Sequence, residues 1–287
     1  MLSSVTPLIL TYNEAPNIQR VLDRLDWARD VVVVDSYSTD ETLEILARFP
    51  KVRIFQRTFD SFSKQCNFGL KETQIQTEWV LSLDADYLLT QELVDELHEL
   101  IPSPNVNGFR AHFIYCINGR RLRSGIYPPV TVLFRRDDSA YDDDGHAHRI
   151  KVKGAVQDLK SKILHDDRKS LSRWFQSQQR YTALEANKLL NAKVDSLSRT
   201  DRVRQLRVVA PLAMAFYCLI VRGGILDGRA GFFYAFQRML AELMLSLYLI
   251  DDDLSRAFSA PTLPQAGNEG LELKEKQRVN RTFHESN

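Results

Sequence analysis

Short apolar runs alternate with polar stretches along the first 85 or so residues, and their spacing sets the expectation for the fold. Pro7-Leu8-Ile9-Leu10 gives way to the polar stretch Thr11 to Asn17, after which Ile18, Val21, Leu22 and Leu25 recur at i, i+3, i+4 and i+7. That period predicts a helix from about Asn17 to Leu25, capped by Asn13 or Glu14. Val31-Val32-Val33-Val34 is a continuous β-branched run, the pattern of a strand covered on both faces. Leu43, Ile45, Leu46 and Phe49 mark a helix from Glu41 to Phe49, capped by Thr39 or Asp40. Val52 to Phe55 reads as a third strand, Phe62 to Glu72 as a helix, and Trp79 to Leu83 as a fourth strand. The order β-α-β-α-β-α-β predicts a parallel sheet with right-handed crossovers.

Each predicted strand ends in polar residues, and in a parallel sheet those ends share one edge, where open α/β sheets bind ligands. The run Leu81-Ser82-Leu83-Asp84-Ala85-Asp86 carries two carboxylates two residues apart. Side chains at i and i+2 of a strand share a face, so Asp84 and Asp86 converge if the strand geometry persists. Converging carboxylates repel, which raises one pKa or calls for a cation between them. None of the loops is glycine-rich, and neither G-x-G-x-x-G nor G-x-x-x-x-G-K-[ST] follows a strand. A nucleotide here is therefore expected on side chains and a metal rather than on a backbone cradle.

Thr11-Tyr12-Asn13-Glu14, Val33-Val34-Asp35-Ser36-Tyr37-Ser38-Thr39-Asp40-Glu41-Thr42 and Leu83-Asp84-Ala85-Asp86 occur in that order, each at a strand's carboxyl end. Together they resemble family 2 glycosyltransferases of the GT-A fold over residues 1–165, nearest to bacterial lipopolysaccharide-core β-1,4-glucosyltransferases. The resemblance implies a GT-A domain at 1–165, with a nucleotide-binding half at 1–100 and an acceptor half at 101–165. It also implies inverting transfer of a hexose, glucose from UDP-glucose being favoured, to a glycan or lipid-linked acceptor of the cell envelope. Thr11, Asn13 and Glu14 would line the nucleotide pocket, Asp35 would accept from the base, and Lys64 and Asn67 would border base and phosphates. Asp84 would face the ribose or donor sugar. Asp86 would bind Mg²⁺ or Mn²⁺, hard cations that take oxygen ligands and substrate phosphates, and His165 matches a further metal position in several GT-A enzymes.

An inverting transfer needs a base for the acceptor hydroxyl. Relatives of this kind often carry Val-His-Glu, but here the triplet is Ala147-His148-Arg149, and a guanidinium stays protonated. Asp144 or His148, beside the run Asp142-Asp143-Asp144, is the expected substitute. A non-catalytic nucleotide-sugar binder is the alternative reading. A nucleotidyltransferase fits less well, because Thr11 to Asn17 lacks the Gly-rich basic loop of that class. Arg120, Arg121 and Arg123 lie between predicted strands Gly108–Tyr115 and Thr131–Arg135 and would suit an anionic acceptor.

At 287 residues and 44% apolar content the chain can bury one large core with an appendage. The net charge of +1 hides a basic stretch, since Lys151 to Arg207 holds fourteen Lys or Arg against six Asp or Glu. A helix from Leu171 to Leu190 is expected there, within a basic and apolar helical region at 166–260. Val208 to Val221 is uncharged for fourteen residues, too few to span a bilayer. Gly231 to Ile250 contains Arg238 and Glu242, so the expectation is either an in-plane or re-entrant helical pair on an anionic leaflet, or a helical hairpin packed on the catalytic domain or a second subunit. Without a nucleic-acid motif, RNA binding is set aside. Cys66, Cys116 and Cys218 are scattered and odd in number, and the short apolar start leads into a strand. Both fit a cytoplasmic protein, peripheral on the cytoplasmic face of the inner membrane. Residues 261–287 are expected to be a disordered tail.

Overall fold

The computed structural model describes residues 1–142, 150–193 and 197–259. Four strands, β1 (Val5–Thr11), β2 (Val31–Asp35), β3 (Val52–Gln56) and β4 (Trp79–Asp84), run parallel in the order β3-β2-β1-β4. β5 (Tyr87–Leu89), β6 (Val106–Ile117), β8 (Val130–Arg135) and β11 (Ala155–His165) extend the sheet to β3-β2-β1-β4-β8-β6-β11-β5. β8 is antiparallel to both β4 and β6, β11 is parallel to β6, and β5 is antiparallel to β11. The sheet is thus parallel in its first half and mixed in its second. β7 (Arg120–Arg121) folds back on the end of β6, and β9 (Ser139–Tyr141) pairs with β10 (Ile150–Val152) as a separate ribbon.

The four valines of β2 are all fully buried because alternate residues serve different cores. Val31 and Val33 join Ile9, Leu81 and Leu83 beneath α1 (Ile18–Leu22), α2 (Thr42–Leu46) and α4 (Gln91–Glu99). Val32 and Val34 join Leu8 and Val80 beneath α3 (Phe62–Glu72). A fully withdrawn aliphatic side chain contributes about 1.5–3 kcal/mol. Gly69 lets α3 lie close to the sheet, since a Cβ there would stand 2.7 Å from Leu8 Cδ1.

The first two helices are shorter than their periodicity predicts. α1 stops at Leu22, and Leu25 reaches the core from a following turn. Neither Asn13 nor Glu14 caps it. Asp40 does serve α2, its Oδ1 accepting the Thr42 N–H at 3.0 Å.

Beyond β11 come α5 (Leu171–Asn191), α6 (Arg199–Arg204), α7 (Val209–Phe216) and α8 (Arg229–Ser259). α7 runs on through a wider π turn (Tyr217–Val221), and a 3-10 turn (Gly224–Asp227) leads into α8. α5 packs on α8 through Ala186, Leu189, Leu245 and Leu249. α8 is long and apolar enough to cross a membrane by length and composition alone. Yet buried Glu242 on it is held by Arg204 Nη2 at 2.8 Å, which fastens α8 to α6 within the protein.

Candidate active site

The register of the parallel strands puts three polar tips side by side. Thr11 lies opposite Asp35, and Leu10 lies opposite Asp84. Asp35 is fully buried, and its carboxylate accepts from Thr11 Oγ1 at 2.9 Å, Ser38 N at 2.8 Å and Ser38 Oγ at 2.5 Å. It fastens the loop after β2 to the end of β1. Asn13 continues that lacing: its N–H donates to Ser38 Oγ at 2.8 Å, and its Oδ1 accepts from Thr39 N at 2.7 Å. Asn13 sits at φ +55°, a left-handed conformation that Asn tolerates better than most residues.

The chain leaves β4 at Asp84, turns through Ala85 and Asp86, and re-enters the sheet at β5. His165, the last residue of β11, is thereby brought to Asp86, with Nε2 3.2 Å from Oδ2. Burial, and then the neighbouring Asp86 charge, push the Asp84 carboxyl up to about 6. Burial would raise Asp86 as well, but His165 and Lys169 outweigh it and hold that carboxyl below its ordinary value. Burial opposes charge on His165, yet Asp86 overcomes it and raises the imidazole. Three tyrosine rings stand edge-on or tilted around His165: Tyr127 at 4.4 Å between centroids, Tyr115 at 4.8 Å and Tyr87 at 5.4 Å. Tyr87 Oη meets Tyr127 Oη at 2.6 Å.

A strap of charged residues, Asp166 to Lys169, then crosses back over the first loop. Lys169 Nζ donates to Glu14 Oε1 at 2.7 Å. Asn17 Nδ2 donates to Glu14 Oε2 at 3.0 Å and to Asp167 Oδ1 at 2.9 Å, while its Oδ1 accepts from Arg168 N. Buried Asp166 accepts from Arg20 Nη2 at 2.5 Å, Arg168 Nη2 at 2.8 Å and Gly119 N at 3.0 Å. Burial pushes the Glu14 carboxyl up to about 7 even against Lys169. Lys169 keeps its charge: burial opposes it, and Glu14 and Asp167 more than compensate. Arg173, in the first turn of α5, stacks over the Tyr12 ring at 5.2 Å.

Thr11, Asn13, Glu14, Asp35, Asp84, Asp86 and His165 therefore share the carboxyl edge of the sheet. The two α3 residues expected beside them, Lys64 and Asn67, contact Asp60 and Tyr141. Lys64 is exposed on α3, with Nζ 3.7 Å from Asp60 Oδ2. Asn67 clamps the backbone of Tyr141, donating from Nδ2 to its carbonyl at 2.7 Å and accepting its N–H at 3.0 Å. Asp144, His148 and Arg149 lie outside the described residues, as does the tail at 261–287. Sequence reasoning missed Asn17, Asp166, Asp167 and Lys169, because a charged run after a strand reads as solvated loop.

Among the described residues no group of three or more His, Cys, Asp or Glu forms a metal cage. The donor set nonetheless suits a cation that arrives with phosphates, since such an ion needs only one or two protein carboxylates. Asp86 Oδ1 is buried without a hydrogen-bond partner, and so is His165 Nδ1. An orphaned carboxylate oxygen is costly and fits a bound cation. Asp86 would hold it, with His165 alongside.

A sheet whose parallel half ends in an acidic edge, continued by a mixed half that supplies His165, is an α/β fold of the GT-A class. Residues 7–153 match the family described as Glycosyl transferase family 2, and the chain belongs to that family. It is 32% identical over 134 residues to a glycosyltransferase of Rickettsia bellii, covering 46% of this chain and 45% of that one. The glycosyltransferase SunS of Bacillus subtilis is 34% identical over 92 residues, 31% of this chain and 21% of that protein. The chain thus spans about half or less of the curated relatives it matches. Among solved structures, residues 1–349 of TarS from S. aureus match with a TM-score of 0.41 at 18% identity, covering 88% of this chain and 91% of that one. Glucosyl-3-phosphoglycerate synthase from Mycobacterium tuberculosis, solved with Mn²⁺, UDP and phosphoglyceric acid, matches with a TM-score of 0.40 at 13% identity over 65% of this chain and 78% of that one.

Proposed function

We propose that this protein transfers a hexose, glucose from UDP-glucose, to a glycan or lipid-linked acceptor of the cell envelope with inversion at the anomeric carbon. The observation that carries the reading is the orphaned, buried Asp86 Oδ1 beside Asp84 and His165, at the strand edge where a diphosphate would lie. The loops after β1 and β2 form the nucleoside pocket, with Asp35 holding their shape. Asp84 faces the donor sugar. Lys169, kept charged next to Glu14, adds positive charge at the diphosphate side. Asp86 and His165 would hold a divalent Mg²⁺ or Mn²⁺, which would supply charge neutralisation for the UDP leaving group. The acceptor hydroxyl's proton goes to a base, for which the sequence offers Asp144 and His148. A cytoplasmic, membrane-peripheral setting completes the reading.

Calorimetric titration of UDP in the presence of Mn²⁺ tests it. Wild-type protein should bind, and Asp86→Ala should weaken binding by about 100-fold or more. Unchanged affinity in the variant overturns the assignment. Binding without turnover, across a panel of acceptors, would leave a nucleotide-sugar binder instead.

A further inference from the structure

The loop between β7 and β8 and the turn between α7 and α8 are fastened into one surface. Asp227 Oδ2 accepts from Arg123 N at 2.9 Å, Ser124 N at 3.0 Å and Ser124 Oγ at 2.9 Å, and both Asp227 and Ser124 are buried. Tyr234 Oη accepts the Ile126 N–H at 3.1 Å, and Arg222 Nη2 donates to the Gly125 carbonyl at 3.0 Å. The turn is packed to the limit, because a Cβ on Gly231 would overlap the Gly224 carbonyl.

Four arginines border this clasp: Arg120 and Arg123 from the loop, with Arg222 and Arg229 from the helical side. Arg120 Nη2 lies 4.0 Å from where a Cβ on Gly228 would be, which joins the two groups in space. None of these four forms an ion pair within 4.0 Å among the described residues, whereas Arg121 acts on the Glu92 carboxylate of α4. Next to them, Leu212, Phe216 and Ile220 repeat at i, i+4 and i+8 along α7 and its π turn, all more than half exposed. Leu226, at the tip of the turn, is 69% exposed.

Apolar side chains on one helical face, rimmed by unpaired cations, match a membrane interface. A second copy of the chain is a poor occupant, because a two-fold contact brings the same unpaired arginines together. We propose that this surface seats on a bilayer leaflet bearing anionic headgroups, with Leu212, Phe216, Ile220 and Leu226 at the acyl boundary and the four arginines on the headgroups. The loop that continues into Tyr127, whose hydroxyl meets Tyr87 beside Asp84, is then held at the leaflet from which a lipid-linked acceptor comes. That last step rests on the transferase reading; the seat itself does not.

Co-sedimentation with phosphatidylglycerol-containing and pure phosphatidylcholine vesicles tests the seat. Wild-type protein should favour the anionic vesicles at least about tenfold, and each of Arg120→Gln and Arg123→Gln should weaken binding about fivefold. Leu226→Glu should abolish it while leaving UDP affinity unchanged, which shows that the variant is folded. Equal binding to both vesicle types, or no binding to either, overturns the proposal. So does self-association of the wild type that Leu226→Glu removes. UDP affinity of the same wild-type sample decides the transferase reading separately, so the two failures are distinguishable.

Discussion

The strap Asp166–Lys169 and the helical pair α7–α8 both return to the sheet edge after the chain has left it, but with opposite chemistry. The strap closes on charges: Asp166, Asp167 and Lys169 each find an oppositely charged or amide partner across the first loop. The helical pair closes through the buried carboxylate of Asp227, with hydrogen bonds at Tyr234 and Arg222, and leaves a run of apolar side chains bare. A site that must hold a charged donor is built from paired charges whose balance shifts when the ligand arrives. A surface that stays apolar in water has its partner elsewhere.

The contrast can be broken at the strap first. Asp166→Ala takes a buried carboxylate from Arg20 and Arg168, themselves about a third exposed and so partly rehydrated, and from the Gly119 N–H. It should lower unfolding free energy by about 3 kcal/mol in urea melts. Next is Glu14. Its folded pKa, about 7, lies above its ordinary value of 4.5, so the folded form holds the proton more tightly. Stability from this group is therefore full below about pH 4.5 and is lost as pH rises through 7, by up to about 3 kcal/mol. Lys169 stays protonated across that window. Urea melts at pH 5 and pH 8 should show the decline in wild type and a flatter dependence in Glu14→Gln.

On the helical side the effects are smaller. Asp227→Asn sets an amide group against three donors and should cost about 2 kcal/mol, with UDP affinity unmoved. Leu226→Ser should change stability by less than about 0.5 kcal/mol. A large loss there would mean that the tip is packed after all, and the comparison would fall.

Much of the strap side's frame was legible because its strands are continuous apolar runs. Val31 to Val34 and Trp79 to Leu83 have no competing reading, and α3 begins and ends where its pattern predicts. β5 has three residues, too few for a period to register. β11 is exposed along most of its first half and shows no regular alternation there, so nothing in its sequence signals that it pairs on both sides. α4 does carry buried Leu93 and Leu97 four apart behind a Thr90 cap, a signal that was there to be read. The site's acidic edge was visible because strand tips are local features. The strap was not, since a pairing such as Arg20 with Asp166 depends on residues 146 apart.

That separation also dictates when the pocket comes into being. As the chain emerges from the ribosome, the first loop and the Asp84–Asp86 corner can form once β4 is out. Arg20 and Asn17 must wait for β11 to dock before they meet Asp166 and Asp167. Contacts between such distant residues are costly to close and form late. The newborn protein therefore has a floor for its ligand well before it has a roof, and a nucleotide present during synthesis would meet a half-built chamber.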